Sequence, residues 1–108
     1  MPDYFYNKDT KKQYARLSEL KGDYVKAFHE FGDKVFAAGA LSVKEKELMA
    51  VAVAHATRCP YCIDLHAKRA KAAGATDEQI AEAIFVAVDL SAGAAFAHGF
   101  VTMESLGK

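Results

Sequence analysis

The 108 residues include two cysteines, three positions apart in the run Cys59-Pro60-Tyr61-Cys62-Ile63-Asp64-Leu65-His66. In a reducing compartment such a pair points to redox chemistry or metal binding rather than to a structural staple. Pro60 cannot occupy a helix interior without losing a hydrogen bond and clashing with the preceding turn, but it suits a first helical position. That puts Cys59 at an N-cap and Cys62 at the third helical position, neighbours that can close a short disulfide. The unpaired amides and positive dipole end of a first helical turn favour thiolate over thiol, and thiolate is the nucleophile. His66 lies one turn beyond Cys62 on the same face, within reach of that sulfur directly or through one water. An imidazole is the side chain suited to exchange protons near neutral pH, so it can accept the Cys62 proton and later return one.

Something must orient that ring, and the candidate is Glu47 on the preceding helix, whose carboxylate could hold the far ring nitrogen and raise its basicity. On spacing alone Glu47 is equally one solvated charge in the alternating run 44–47 of Lys44-Glu45-Lys46-Glu47. His66 alone is compatible with a surface or capped helix histidine, and Tyr61 reads as packing over the sulfurs. His55, Cys59, Cys62 and His66 are all zinc ligand types. On a continuous helix, however, His55 and His66 would stand about 16 Å apart, and one helix face cannot surround a metal. We therefore expect no metal and no other cofactor, and assign no role to His29, His55 or His98.

The elements that must position these residues are helical. Asp9 or Thr10 can start a first helix carrying Tyr14, Leu17 and Leu20, stopped by Gly22. Val25, Phe28, Phe31, Val35 and Phe36 form an aromatic stripe on a second helix that Gly39 ends, a pattern that reads as core. Ser42-Val43-Lys44-Glu45 is a capping box opening a third helix, which runs to about Thr57. A fourth starts at Pro60 and stops at Gly74, and Thr76-Asp77-Glu78-Gln79 opens a fifth. Ser91 and Gly93 are expected to kink or divide it from a sixth that ends near Gly107. No stretch alternates at period two or carries a hairpin turn, so the expectation is an all-α, single-domain bundle of about six helices spanning residues 1–108.

Fourteen Lys and Arg balance fourteen Asp and Glu, giving a formal charge of zero and no basic stripe, so nucleic acid is not an expected partner. With 52% hydrophobic residues the composition is that of a folded globular domain, unusually apolar for its size, and self-association is expected. Residues 80–101 are apolar enough to suggest a membrane span, but they carry Glu82, Asp89 and His98, so they read as core or interface. Residues 1–6 lack the charged region, apolar core and cleavage site of a signal peptide, and the expected location is the cytoplasm.

Residues 41–99 resemble the carboxymuconolactone decarboxylase family, and more closely its alkylhydroperoxidase D branch. The resemblance rests on Leu41-Ser42-x-Lys44-Glu45-Lys46-Glu47, the Ala/Val-rich helix, Cys59-Pro60-Tyr61-Cys62-x-x-x-His66 and Gly74-Ala75-Thr76. It implies an all-α bundle assembling into a homo-trimer or homo-hexamer. It also implies a thiol-dependent peroxidase or disulfide reductase that takes a hydroperoxide and an external dithiol, without flavin or haem. Cys62 would attack the peroxide, Cys59 would resolve the sulfenic acid, and Glu47 and His66 would relay protons. Alkylhydroperoxidase D itself is longer, with two related helical halves and a His where this chain has Tyr61. The decarboxylase branch does not rely on a redox C-x-x-C, so the cysteines argue against that activity. A non-catalytic redox sensor or oligomeric adaptor uses the same residues differently and stays as the alternative.

Overall fold

A computed structural model describes residues 9–107; the six residues read for a targeting signal lie outside them. Four helices follow one another: α1 (Lys11–Phe36), α2 (Val43–Thr57), α3 (Pro60–Ala72) and α4 (Asp77–Ser105), with no strand among the described residues. The all-α expectation holds, whereas the count of about six does not. The first two expected helices form one element, α1, broken at Lys21, whose φ of −144° and ψ of 57° are not helical. The break sits beside Gly22, the expected stop. It is sharp: the Tyr14 hydroxyl and His29 Nε2 are hydrogen bonded at 2.7 Å, although fifteen residues of straight helix would hold them about 22 Å apart. The expected fifth and sixth helices are likewise one continuous element, α4. Gly93 costs at most about 1 kcal/mol relative to alanine, and Ala92, Ala94, Ala95 and Ala97 around it are the best helix formers.

Contacts gather the chain into two units, the first ending at Lys46 and the second starting at Glu47. In the first, α1 has no buried residue; Phe28 and Phe31 are 71% and 66% exposed. The aromatic stripe expected to be core is therefore a surface of the single chain. Its C-terminal carbonyls are capped from the start of α2, where Lys46 Nζ donates to Val35 O at 2.8 Å and Ala37 O at 2.6 Å. A cation there also meets the negative end of the helix dipole. The α2 capping box forms as expected: the Glu45 amide donates to Ser42 Oγ at 3.1 Å and the Ser42 amide to Glu45 Oε1 at 2.8 Å.

The core of the second unit is Val51, Ala70 and Ala75, with Leu48, Ile80, Ala83 and Ile84 packed against it. Small side chains at Ala70 and Ala83 leave room for α3 and α4 to pack side by side. Along α2 the buried positions are Glu47, Val51 and Ala54, spaced four and three apart, which is one helical face. The second capping box opens α4, with the Gln79 amide on Thr76 Oγ1 and the Thr76 amide on Gln79 Oε1. Residues 80–101 are core only at one end, where Ile80, Ala83 and Ile84 pack and Ala87 is buried; only 6% of the apolar window of α4 is buried in the single chain.

Candidate active site

The junction between α2 and α3 fixes the cysteines. α2 ends in a Schellman arrangement in which the Cys59 amide donates to Ala54 O at 3.0 Å and the Arg58 amide to His55 O at 3.2 Å. That motif needs a left-handed residue, which here is Arg58 with φ of 58°. The end of α3 repeats the pattern with glycine: Gly74 has φ of 96°, its amide donates to Lys71 O, and the Ala75 amide donates to Ala70 O. Nothing in the sequence marks Arg58, since arginine carries no preference for this conformation.

Cys59 thus ends one helix and caps the next. As N-cap of α3 it precedes Pro60 at the first helical position, and its Sγ accepts the Cys62 amide at 3.2 Å. The two cysteines are joined as a disulfide, with Cα atoms 5.2 Å apart. Both are half-buried. The expected placement of the pair is what the structure shows.

Glu47 is the site's buried charge. It is 3% exposed, and its Oε1 accepts a hydrogen bond from His66 Nδ1 at 2.6 Å, from α2 to α3. An ionised carboxylate can only accept, so Nδ1 is the donor in this bond. The arrangement is an imidazole oriented by a buried carboxylate. The solvated reading of Glu47 fails because Glu47 is buried, while its neighbours Glu45 and Lys46 cap α2 and α1. Among the described residues no buried side-chain nitrogen or oxygen lacks a partner.

The remaining histidines are held elsewhere. His55 Nδ1 donates to Val51 O and His98 Nδ1 to Ala94 O, each at 2.8 Å, while His29 bonds Tyr14. Among the described residues no three His, Cys, Asp or Glu side chains group as a metal cage. Tyr61 is 46% exposed.

Comparison with known proteins now adds the lineage. The profile of the Carboxymuconolactone decarboxylase family matches residues 22–103, from just after the Lys21 break to the end of α4. The chain belongs to the carboxymuconolactone decarboxylase family. That family includes both decarboxylases and alkylhydroperoxidase D-like peroxidases. A carboxymuconolactone decarboxylase family protein from Legionella pneumophila has a similar structure, with a TM-score of 0.71 and 29% identity over 94% of this chain and 93% of that one. A protein from Methanobacterium thermoautotrophicum gives a TM-score of 0.69 at 35% identity, covering 74% of this chain and 92% of the other. In sequence, an uncharacterized protein in the cox locus of Paracoccus denitrificans is 57% identical over 72 residues, 67% of this chain. An uncharacterized protein of Haemophilus influenzae is 35% identical over 60 residues, 56% of this chain. The matches span 65% and 53% of those two relatives' lengths.

Proposed function

We propose that this family member is a thiol-dependent peroxidase or disulfide reductase. The observation that carries the reading is the buried Glu47–His66 hydrogen bond, with His66 one helical turn after Cys62 of the Cys59–Cys62 pair. In the reduced protein His66 Nε2 takes the Cys62 proton, and the buried Glu47 carboxylate stabilises the imidazolium that forms. The Cys62 thiolate attacks a peroxide oxygen; the O–O bond breaks, the alcohol leaves with a proton from His66, and Cys62 becomes a sulfenic acid. The Cys59 sulfur then attacks the Cys62 sulfur, the hydroxyl leaves as water with the Cys59 thiol proton, and the disulfide forms. An external dithiol returns two electrons and two protons.

A family that also holds decarboxylases makes a lactone-acid substrate the second catalytic reading, and the redox pair disfavours it. A sensor or adaptor would oxidise without turning over. A dithiol supply implies the cytoplasm. Exposed Phe85, Val86 and Leu90 on α4 favour self-association, because a lone chain would leave them in water, and the family resemblance makes a homo-trimer or homo-hexamer the form to expect. Glu82 and Asp89 lie among them, which makes a lipid partner costly. The test is peroxide consumption with a dithiol in excess: wild type turns over repeatedly and Cys62→Ser does not. Steady turnover by Cys62→Ser overturns the assignment.

A further inference from the structure

The disulfide has two sulfurs that a reductant could attack, and they sit in different surroundings. Cys59 Sγ already accepts the Cys62 amide, at the start of a helix whose first residue, Pro60, has no N–H of its own. Cys62 stands one turn inside that helix, with His66 a further turn along. We propose that the external dithiol attacks Cys62 Sγ and expels Cys59 as the thiolate, the Cys62 amide holding the charge on the leaving sulfur. The assignment rests on the disulfide-reducing half of the function proposed above.

The argument is one of timing. In the disulfide the Cys59 sulfur is neutral and a weak acceptor, so the amide contributes little. As the S–S bond breaks, negative charge collects on the leaving sulfur and the same hydrogen bond becomes charge-assisted. The donor is in place beforehand, so it stabilises the transition state more than the ground state and needs no reorganisation. Expulsion of the better-stabilised thiolate is the faster exchange. The opposite attack would put the charge on Cys62, away from the amide that Cys59 occupies.

The steps balance. One thiolate of the dithiol forms a bond to Cys62 Sγ while the Cys59–Cys62 bond breaks and its electron pair goes to Cys59. The second thiolate of the dithiol attacks its partner sulfur in the mixed disulfide, closing a cyclic disulfide and expelling Cys62 as a thiolate. His66, having taken the first dithiol proton when that thiol ionised, returns it to Cys62, and the second dithiol proton ends on Cys59. Two electrons pass from the dithiol to the protein. Cys62 is therefore the nucleophile once, toward peroxide, and the electrophile twice, toward Cys59 and toward the reductant.

The test needs no variant. Oxidised wild-type protein is mixed with glutathione, quenched in acid at a series of short times, and its free thiols are blocked with N-ethylmaleimide. Fragmentation mass spectrometry of tryptic peptide 59–68 then locates each adduct, with extrapolation to zero time removing later exchange. Glutathione on Cys62 with maleimide on Cys59 should exceed the inverse by about tenfold. Equal labelling, or glutathione mainly on Cys59, overturns the assignment, as does a disulfide that excess dithiothreitol leaves intact. Peroxide consumption measured on the same preparation separates the two failures. Turnover with attack at Cys59 sinks this assignment alone, and attack at Cys62 without turnover sinks the peroxidase reading alone.

Discussion

Glu47 Oε1 and His66 Nδ1 stand 2.6 Å apart across nineteen residues of sequence, joining the buried face of α2 to the first turns of α3. The bond fixes the orientation of the ring and sets His66 apart from His55 and His98, whose Nδ1 atoms bond the carbonyls of their own helices.

Removing the base should cost more than removing its orienting acid. His66→Ala should lower peroxide turnover by about 10²- to 10⁴-fold, the usual worth of general acid–base catalysis. Glu47→Gln should lower it less and shift Cys62 alkylation to higher pH. The measurement is the rate of alkylation against pH in a Cys59→Ser background. Unchanged profiles in both variants would remove the relay from the account.

The two cysteines should fail differently. Serine is a strong N-cap residue, so Cys59→Ser keeps the start of α3. It should accumulate one sulfenic acid per chain, captured by a dimedone-type reagent, because no second thiol is there to resolve it. Cys62→Ser should capture none. Label on Cys62→Ser would reverse the roles.

Arg58 holds a left-handed conformation that glycine adopts freely, as Gly74 does at the matching end of α3. Arg58→Gly should therefore stabilise the oxidised protein by about 0.5 to 1 kcal/mol, the relief of strain exceeding the flexibility glycine adds to the unfolded chain. Denaturant unfolding reads it. A loss of stability would show that the arginine side chain contributes more than its backbone costs.

Acid should loosen the start of α2. The Ser42 backbone amide, then the Ser42 hydroxyl and Lys44, hold the Glu45 carboxyl below the usual carboxylate range. A group depressed on folding adds stability above its unfolded value and loses it as pH falls through the folded one. Glu45→Gln keeps a capping-box side chain without the charge. The fall in Tm from pH 7 to about pH 3 should accordingly be smaller in the variant than in wild type. An equal fall would mean the Glu45 charge adds nothing to folding.

The parts of this structure that were legible in the sequence are those fixed by near neighbours. Ser42 with Glu45, Thr76 with Gln79, and Pro60 after Cys59 each set a helix start within four residues, and each forms as expected. Glu47 was ambiguous because its burial depends on the 3.6-residue period of α2 against α3, while its immediate neighbours look like a solvated run. Arg58 was illegible, since its conformation is imposed by the two helices it joins. The break at Lys21 was nearly legible from Gly22, but its sharpness depends on the Tyr14–His29 contact across it. Ser91 and Gly93 do not divide α4, because the alanines around them are the best helix formers and carry the helix through. The aromatic stripe misled because periodicity shows that a face is apolar without showing what covers it.

The most direct test of the redox account is a thiol count on reduced wild-type protein before and after one equivalent of hydroperoxide, then again after a dithiol. The account predicts that two thiols per chain disappear, that both return with the dithiol, and that the cycle repeats with peroxide consumed each time. Thiols that survive the peroxide, or a pair that oxidises once and never turns over, would contradict it.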